Sequence, residues 1–442
     1  MKKNVMLLIL ILALSVTFLF AGGDKEKADE DQFITIHWAQ WAPADYLQKL
    51  SEGFTKETGI EVIVEQTPWE TFVQKYNVEM IARSDAWDII VGDSQDLGNM
   101  ADSGHYVDLT GFFADNGLAN KFTESSIAAY AEYPANSGKY YGIPTEGDAL
   151  GWAYRKDLFE DAENMAAFKS EYGYDLGVPT SWDMIADIAE FFHDPDNGFY
   201  GIAIYGDNGY DSLAMFAEQM IWTYGGDLGN YATGQVDGIL NTPESADGIN
   251  MYSKLFQFIP PAFNDAFFVK TNDAFTAGIV PMAVNYYAFF PALANEATNP
   301  YAADTGYFAC PPQKGRDGVS RQFSALGGQG ASIVSYSKKK DLSMQWLEWF
   351  IRDDVQMEWA RIGGYSCSIA VLESDTFMNA APYNPSFAES LTIMKDFWSH
   401  PDYGELMEIF ARTIGSYIIR GEDTAESALQ ACTDEWDAVI NK

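Results

Sequence analysis

The sequence predicts an α/β fold in which strands and helices alternate from the N-terminal part onward. Apolar residues that alternate or run continuously predict strands at 33–38, 60–66 and 87–93. Apolar residues at helical spacing predict the intervening helices at 44–56 and 72–83. The order strand, helix, strand is typical of parallel βαβ units. In such sheets ligands bind beyond the carboxyl ends of the strands.

Strand and helix patterns continue through the rest of the chain, whose 442 residues are enough for two or three domains. Further strands are predicted at 199–204, 279–287, 306–310 and 325–336. Helices are predicted for most of the C-terminal part, at 341–350, 353–362, 401–420 and 424–440. The sequence therefore predicts a second region with strands and helices of its own.

The charge of the chain excludes some classes of partner. It has 27 basic and 64 acidic residues, a formal net charge of −37. Nucleic acids and anionic membrane surfaces are therefore not expected as partners, because both need basic patches. A hydrophobic content of 47% nevertheless excludes a disordered chain.

Residues 1–21 have the basic, apolar and small-residue order of a secretory signal peptide. A charged, flexible spacer is predicted at 22–32. We expect cleavage after Ala21 and export of the mature chain, with no lipid anchor, because no cysteine lies near the junction. The alternative is an uncleaved membrane anchor, since the apolar run is near the lower limit for spanning a bilayer.

Metal, cofactor and disulfide chemistry have little support in the sequence. The four histidines are widely spaced and form no ligand motif, and no phosphate-binding glycine motif occurs, so neither a metal nor a cofactor is predicted. Three cysteines are too few for a disulfide framework. Cys432 is expected in the core, whereas Cys310 and Cys367 either pair or, as we favour, stay free and partly buried.

Ser94 raises the question of an enzyme. It lies in a Gly-Asp-Ser turn after a predicted strand, as in one class of esterases. Those enzymes carry an Asp and a His two residues apart near the C-terminus, whereas Asp396 and His400 are four apart. A ligand contact or a turn residue is therefore the favoured role for Ser94.

Aromatic residues at the ends of predicted elements are the strongest signal of a binding site. Pyranose C–H faces stack on aromatic rings, and nearby polar groups set the orientation of the sugar. Any one of these aromatics has core packing as its alternative role, but as a set they suit a sugar site. The residues are Trp41, Trp69, Trp222, Tyr286, Tyr287 and Tyr365.

The order of several segments resembles the family-1 extracellular solute-binding proteins, the maltose-binding-protein-like carbohydrate-binding components of ABC importers. The opening ITIHWAQW resembles the first strand of that family, and WDIIVGDS resembles a later strand. YYGIPTEGDALGWAYRKDLF is similar to the family's hinge segment. MIWTYGGDL, NDAFTAGIVPMAVNYYAFF and the glycine-rich SALGGQGASIVSYSKKKD follow in the family's order. Each motif alone is loose, but the ordered series spans nearly the whole mature chain.

The resemblance implies a two-lobed periplasmic binding protein fold, with a helix-flanked sheet in each lobe and a hinge of crossover segments. The N-terminal lobe is expected at 33–145 plus 323–370, and the C-terminal lobe at 146–322 plus 371–442. The chain is expected to cross between the lobes near 144–152, 311–323 and 366–373. The absence of the lipid-anchor cysteine, usual in bacteria with one membrane, favours a periplasmic location.

The resemblance also supplies the predicted site. Asp148 occupies the position of a sugar-binding acid of the family. First-lobe contacts are expected from Trp41, Trp69, Asp93 and Ser94. Contacts from across the cleft are expected from Trp222, Tyr286, Tyr287, Gly364 and Tyr365. Tyr286-Tyr287 replaces a usual tryptophan, and Cys367 replaces a usual proline, so the identity of the sugar stays open.

The predicted function is capture of a mono- or oligosaccharide between two lobes and its delivery to the membrane subunits of an ABC importer, by a monomer that is not an enzyme. Two alternatives stay open. One is a secreted glycoside hydrolase or esterase. The other is a binder of a non-sugar solute such as a polyamine, with which the acidic charge is compatible.

Overall fold

The computed structural model describes residues 32–209, 212–230, 233–397 and 399–442. The predicted signal peptide at 1–21, and all but the last residue of the spacer at 22–32, lie outside these ranges. In the described part of the chain, no helix is both long and apolar enough to cross a membrane.

Strands occur in both halves of the chain. They are β1 (Phe33–Ala39), β2 (Glu61–Thr67), β3 (Ile89–Asp93), β4 (Ile143–Arg155), β5 (Met282–Tyr286), β6 (Thr305–Ala309), β7 (Gln313–Lys314), β8 (Ser320–Arg321), β9 (Ser324–Ile333) and β10 (Met394–Lys395).

Helices flank these strands. In the first half of the chain they are α1 (Ala42–Thr58), α2 (Trp69–Ile81), α3 (Leu97–Asp102), α4 (Thr110–Asn116), α5 (Glu124–Tyr130), α6 (Lys156–Phe159), α7 (Ala162–Tyr172), α8 (Trp182–Phe192) and α9 (Leu213–Tyr224). In the second half they are α10 (Pro243–Leu255), α11 (Phe268–Thr276), α12 (Pro291–Ala294), α13 (Lys340–Phe350), α14 (Asp353–Arg361), α15 (Ile369–Leu372), α16 (Asp375–Met378), α17 (Asn384–Ile393), α18 (Tyr403–Arg420) and α19 (Ala425–Ile440).

The N-terminal strands form the predicted parallel arrangement. β1 pairs in parallel with both β2 and β3, and the order across the main path of the sheet is β2-β1-β3-β9-β4-β5. α1 crosses from β1 to β2 and ends at Gly59, whose φ of 79° suits a glycine cap. The α/β class predicted from the sequence is confirmed.

Two long strands, β4 and β9, connect the two halves of the fold. The first part of β4 pairs antiparallel with β9, from Ile143 opposite Ala331 to Ala149 opposite Leu326. The rest of β4 pairs with β5 on one side and β6 on the other. The segment resembling a family hinge is therefore one continuous strand of 13 residues.

The apolar interior is divided into two clusters. One surrounds β1, β3, α13 and α14 and contains Trp38 and Trp359. The other surrounds α8, α9, α10, α18 and α19 and contains Trp222. Ala149 of β4 belongs to the first cluster and Leu150 to the second, so this strand runs between the two cores. The residue boundaries expected for the lobes stay a prediction.

One predicted strand is wrong. The segment 199–204 forms only isolated bridges, among them Ala203 opposite Ala283. The N–H groups of Gly201 and Ile202 donate instead to the carbonyl of Phe258, the last residue of a short 3-10 helix. A Cβ on Gly201 would lie 1.9 Å from the carbonyl oxygen of Ala189, so the glycine lets the chain pass against α8.

The three cysteines are free and buried. Cys432 belongs to the second core, as predicted. Cys310 and Cys367 are unpaired, which agrees with the favoured alternative, and both are fully buried.

Candidate functional site

Two tryptophans meet beyond the carboxyl ends of β1 and β2. Ala39 lies opposite Thr67 in the last position of this parallel pair, so the residues that follow both strands emerge side by side. Trp41 stands at the N-cap of α1, and Trp69 begins α2. Their rings meet edge to face with centroids 5.4 Å apart. Trp69 keeps 37% of its surface exposed, so an aromatic face remains open to solvent here.

A row of polar side chains crosses the middle of the sheet. Asp93 on β3 lies opposite Gln329 on β9, which lies opposite Glu146 on β4. The Gln329 amide donates to Asp93 Oδ1 at 2.5 Å, and its carbonyl accepts a hydrogen bond from the Trp38 indole. Gln329 and Glu146 are completely buried, and Asp93 is 8% exposed.

Asp148 lies two residues beyond Glu146 on the same strand, and therefore on the same face. Its carboxylate accepts the N–H of Ala149 at 2.9 Å and, more weakly, that of Ala288 at 3.3 Å. Asp148 is 4% exposed. The structure thus brings the predicted sugar-binding acid close to the segment that follows Tyr286 and Tyr287.

Tyr365 and Tyr287 complete the surroundings of β4. The N–H of Gly147 donates to the carbonyl of Tyr365 at 2.7 Å, and the Tyr365 hydroxyl donates to the carbonyl of Tyr287 at 3.0 Å. The Tyr287 ring lies against Gly151, where a Cβ would approach within 2.3 Å. Three predicted site residues, Asp148, Tyr287 and Tyr365, are therefore joined by hydrogen bonds around one strand.

Tyr286 and Gly364 have mainly packing contacts. The ring of Tyr286 lies beside Gly327, and its hydroxyl is 3.5 Å from the carbonyl of Leu326. A Cβ on Gly364 would lie 2.0 Å from the Trp359 ring, so only glycine fits there. Trp359 in turn donates to the carbonyl of Thr145 at 3.0 Å. Gly364 thereby lets Trp359 sit next to the row of acids.

Trp222 lies in a different environment. It belongs to α9, is 1% exposed and packs in the second core. The Lys395 ammonium lies 5.0 Å from its ring centroid, and Phe323 meets it edge to face. No contact among the described residues joins Trp222 to the tryptophans of the first half. Its role in ligand binding stays a prediction.

Burial raises the pKa values of the acids in this region. It raises the pKa of Asp148 to about 8, against the opposing effect of N–H groups from Ala149, Ala288 and Tyr287. Burial, together with the charges of Asp148 and Asp93, raises the pKa of Glu146 well above its ordinary value. Ionising either acid is costly because no cation compensates it among the described residues.

A cavity of about 640 Å³ lies beside this region, a volume suited to a small ligand. Two segments supply most of its walls, one within 125–136 and the other within 394–397 and 399–401. Its lining comprises Ser125, Ala128, Ala129, Glu132, Tyr133, Pro134, Ala135, Asn136, Gly234, Leu326, Met394, Lys395, Asp396, Phe397, Ser399, His400 and Pro401. Sequence reasoning did not assign these segments to the site, although it weighed Asp396 and His400 of the second segment as a catalytic pair.

Ser94 connects the cavity to the polar row. Asp396 lines the cavity, and burial raises its pKa to about 7, opposed by the nearby Ser94 hydroxyl and the N–H of Phe397. Ser399, also in the lining, donates to the carbonyl of Ser94 at 2.8 Å. His400 Nδ1 accepts the N–H of Asp402 at 3.1 Å. Ser94 thus faces a carboxyl group of the cavity wall, next to Asp93 of the row.

Metal ligation has no candidate in the described ranges. No group of three or more His, Cys, Asp or Glu side chains there is arranged to hold an ion.

The family is settled by a sequence match that spans most of the chain. The profile of the bacterial extracellular solute-binding proteins matches residues 38–357. The chain belongs to this family. The solute-binding protein thus has the two-lobed α/β fold that the resemblance implied, and the fold of its solved relatives agrees.

Two solved structures show how widely this fold is shared. One is an ABC transporter solute-binding protein from Agrobacterium radiobacter K84 in complex with ribitol, with a TM-score of 0.74 at 20% identity. The alignment covers 92% of this chain and 98% of that one. The other is maltose-bound MalE3 of T. maritima, with a TM-score of 0.75 at 20% identity, covering 92% and 99%.

A curated relative is YcjN of Escherichia coli K12, provisionally named as an ABC transporter periplasmic-binding protein. It is 26% identical over 262 residues, which is 57% of this chain. The match spans about half the length of that relative, 54%.

Proposed function

We propose that this solute-binding protein captures a sugar or polyol between the two halves of its fold and delivers it to an ABC importer. The observation that carries the proposal is the placement of the Trp41–Trp69 pair just after β1 and β2 and of the acids Asp93 and Asp148 on β3 and β4 of the same sheet. Two structural neighbours that share the fold were solved with ribitol and with maltose.

The chemistry of these side chains suits a hydroxylated ligand. A partly exposed indole offers an apolar face to the C–H groups of a sugar ring. Carboxyl groups form hydrogen bonds with hydroxyl groups through both oxygens, and an ionised carboxyl group is the stronger acceptor. Together they would hold one face of the ligand by packing and its edge by hydrogen bonds.

The delivery of the ligand in this proposal depends on the two strands that cross between the halves. β4 and β9 contribute side chains to the candidate site and also connect the two cores. A ligand that touches both halves stabilises their closed arrangement, and binding thereby shifts an equilibrium between open and closed forms. The membrane subunits of an importer would recognise the closed form.

The cellular setting is part of the proposal. The family is extracellular, and residues 1–21 have the pattern of a signal peptide. We therefore assign the mature chain to the periplasm, as a monomer that makes and breaks no covalent bond in its ligand.

The test is a thermal-shift screen of the mature chain followed by calorimetry. The ligands are glucose, maltose, mannitol and ribitol, with spermidine as the non-sugar comparison. A ligand that binds the folded form raises its melting temperature by mass action. We expect a shift with at least one sugar or polyol. A shift with spermidine alone would overturn the sugar assignment, and turnover of chromogenic glycosides would overturn the binding-only assignment.

A further inference from the structure

Glu146 is not among the site residues that the family resemblance implies. Its side chain is completely buried on β4. Among the described residues, neither of its carboxylate oxygens has a hydrogen-bond partner. A buried carboxylate without a donor or a cation is costly, so this side chain points to a ligand group that the protein does not itself supply.

The direction of Glu146 follows from the geometry of its strand. A Cβ on Gly147 would point at Cys367 Sγ, 2.7 Å away, and at Leu391. Since successive side chains in a strand point to opposite faces, Glu146 and Asp148 point to the other face. On that face Glu146 lies opposite Gln329, and Gln329 lies opposite Asp93.

The neighbours of Glu146 are already engaged. The Gln329 amide group is used twice, as a donor to Asp93 and as an acceptor from Trp38. Asp148 accepts backbone N–H groups from Ala149 and Ala288. Among the described residues, Gln329 makes no hydrogen bond to Glu146.

The charge around Glu146 is negative. The acids that act on it electrostatically are Asp148 and Asp93, and no ion pair among the described residues involves Glu146 or Asp148. A hydroxyl group can donate one hydrogen bond to Glu146, whereas a cation also compensates the charge that a buried acid carries when it ionises. The net charge of −37 would also attract a cation to the protein.

The surroundings also suit hydroxyl groups and a cation together. The indole N–H of Trp41 has no acceptor among the described residues, and a hydroxyl oxygen would satisfy it. Trp69, which meets Trp41 edge to face at 5.4 Å and is 37% exposed, offers an aromatic surface that can stabilise an ammonium group.

We propose that the solute is an amine-bearing sugar, such as an amino sugar, and that Glu146 is the specificity residue that pairs with its ammonium group. This inference rests on the proposed function, since it assumes that the row of acids belongs to the sugar site. It adds the chemical class of the ligand and a residue that the resemblance to the family does not indicate.

The test compares matched pairs of sugars that differ only in an amino group. Calorimetry is run with glucose against glucosamine, galactose against galactosamine, and mannose against mannosamine. We expect at least one amino sugar to bind about tenfold or more tightly than its neutral counterpart, since a charge-assisted pair is stronger than a neutral hydrogen bond. Equal or tighter binding of every neutral member would overturn the inference and leave the proposed function intact. Absence of binding by all six sugars would overturn the inference, while the separate screen with maltose, mannitol and ribitol decides the proposed function.

Glu146→Gln separates specificity from folding. It should lower the affinity for the amino sugar by about tenfold or more while changing the affinity for the neutral counterpart far less. Glu160→Gln, at an exposed glutamate shortly after β4, is the matched control and should change neither affinity. Glu146→Asp keeps the charge and should retain part of the preference if Glu146→Gln fails to fold. An unchanged preference in folded Glu146→Gln, or its complete loss in Glu160→Gln as well, would overturn the assignment to Glu146.

Discussion

Trp69 and Trp222 both lie at the ends of elements, and the sequence gives them the same role, yet they occupy opposite environments. Trp69 follows the end of β2 and is 37% exposed, whereas Trp222 lies in the last turn of α9 and is 1% exposed. Every residue of α9 is buried. Proximity to the end of an element therefore indicates an open aromatic face after a strand but not within a helix enclosed by its neighbours.

The largest expected effect concerns Trp222. Its truncation in Trp222→Ala should lower the free energy of unfolding by roughly 3–5 kcal/mol, because it empties a large volume in a packed core. Urea denaturation measures this loss, with Trp222→Phe as the milder control. A loss below about 1 kcal/mol would show that Trp222 does not differ from Trp69 in this way and would assign it to a ligand-facing position.

Asp148 lies between these two regions, and its truncation should affect binding more than folding. We expect Asp148→Ala to weaken binding by roughly 1.5–3 kcal/mol, about tenfold to a hundredfold or more, because a buried hydroxyl group of the ligand loses its hydrogen-bond partner. Asp148→Asn should lose less. Calorimetry with the ligand from the screen measures both variants. Parental affinity in Asp148→Ala would remove this acid from the site.

The buried acids should make stability depend on pH. The ordinary pKa of an aspartic acid is 3.8, and that of Asp148 in the folded protein is about 8, so the folded state holds its proton more tightly. The contribution of Asp148 to stability is therefore greatest at low pH and decreases as the pH rises from about 4 through 8. Asp396, with a pKa of about 7, acts in the same direction.

Calorimetric melts at pH 5 and pH 8.5 check this dependence. We expect the melting temperature to fall by about 2–4 °C or more over this interval, and Asp148→Asn to reduce the fall. A melting temperature that rises over the interval would contradict burial as the dominant influence on these acids.

The smallest expected effect is that of Trp69 on stability. Trp69→Ala should change the free energy of unfolding by about 1 kcal/mol or less, since much of its ring is already in water. It should weaken sugar binding by about 1 kcal/mol, the contribution of a stacked ring. Paired urea and calorimetric measurements decide, and a large stability loss without an affinity change would assign Trp69 to the core.

Local sequence patterns predicted the elements whose ends are determined by residues within or next to the element. α18 ends at Arg420, the end of the predicted range 401–420, because Gly421 with a φ of 65° follows it. The N-terminal strands were predicted for the same reason, since their apolar runs are bounded by turns and a helix cap. The parallel register of β1 with β2 and β3 followed from the order of these elements.

Other features depend on contacts between distant parts of the chain. β4 contains Pro144, Gly147 and Gly151, which are weak strand formers, but pairing with β5, β6 and β9 holds it extended. Glu146 looks like a solvated acid in sequence. Its burial becomes clear only from the strand register, in which Glu146 lies opposite Gln329 and Gln329 lies opposite Asp93.

Some of the candidate site has a partial signal in the sequence. Glu146 and Asp148 are two residues apart, which is the spacing of one strand face. That spacing becomes informative only once 143–155 is known to be a strand. The cavity wall at 394–397 and 399–401 has no such signal, because it forms where the chain returns to pair Met394 with Ser324.

The continuity of β4 and β9 bears on how such a protein can acquire a new ligand. Asp148 and Gln329 lie on the two strands that also connect the two cores, so a substitution there changes ligand contacts and closure together. Trp41 and Trp69 follow the outer strands β1 and β2 and are free of that double constraint. We expect laboratory evolution toward a new sugar to accept changes first at these two tryptophans. Changes on the crossing strands should appear later and in compensating pairs.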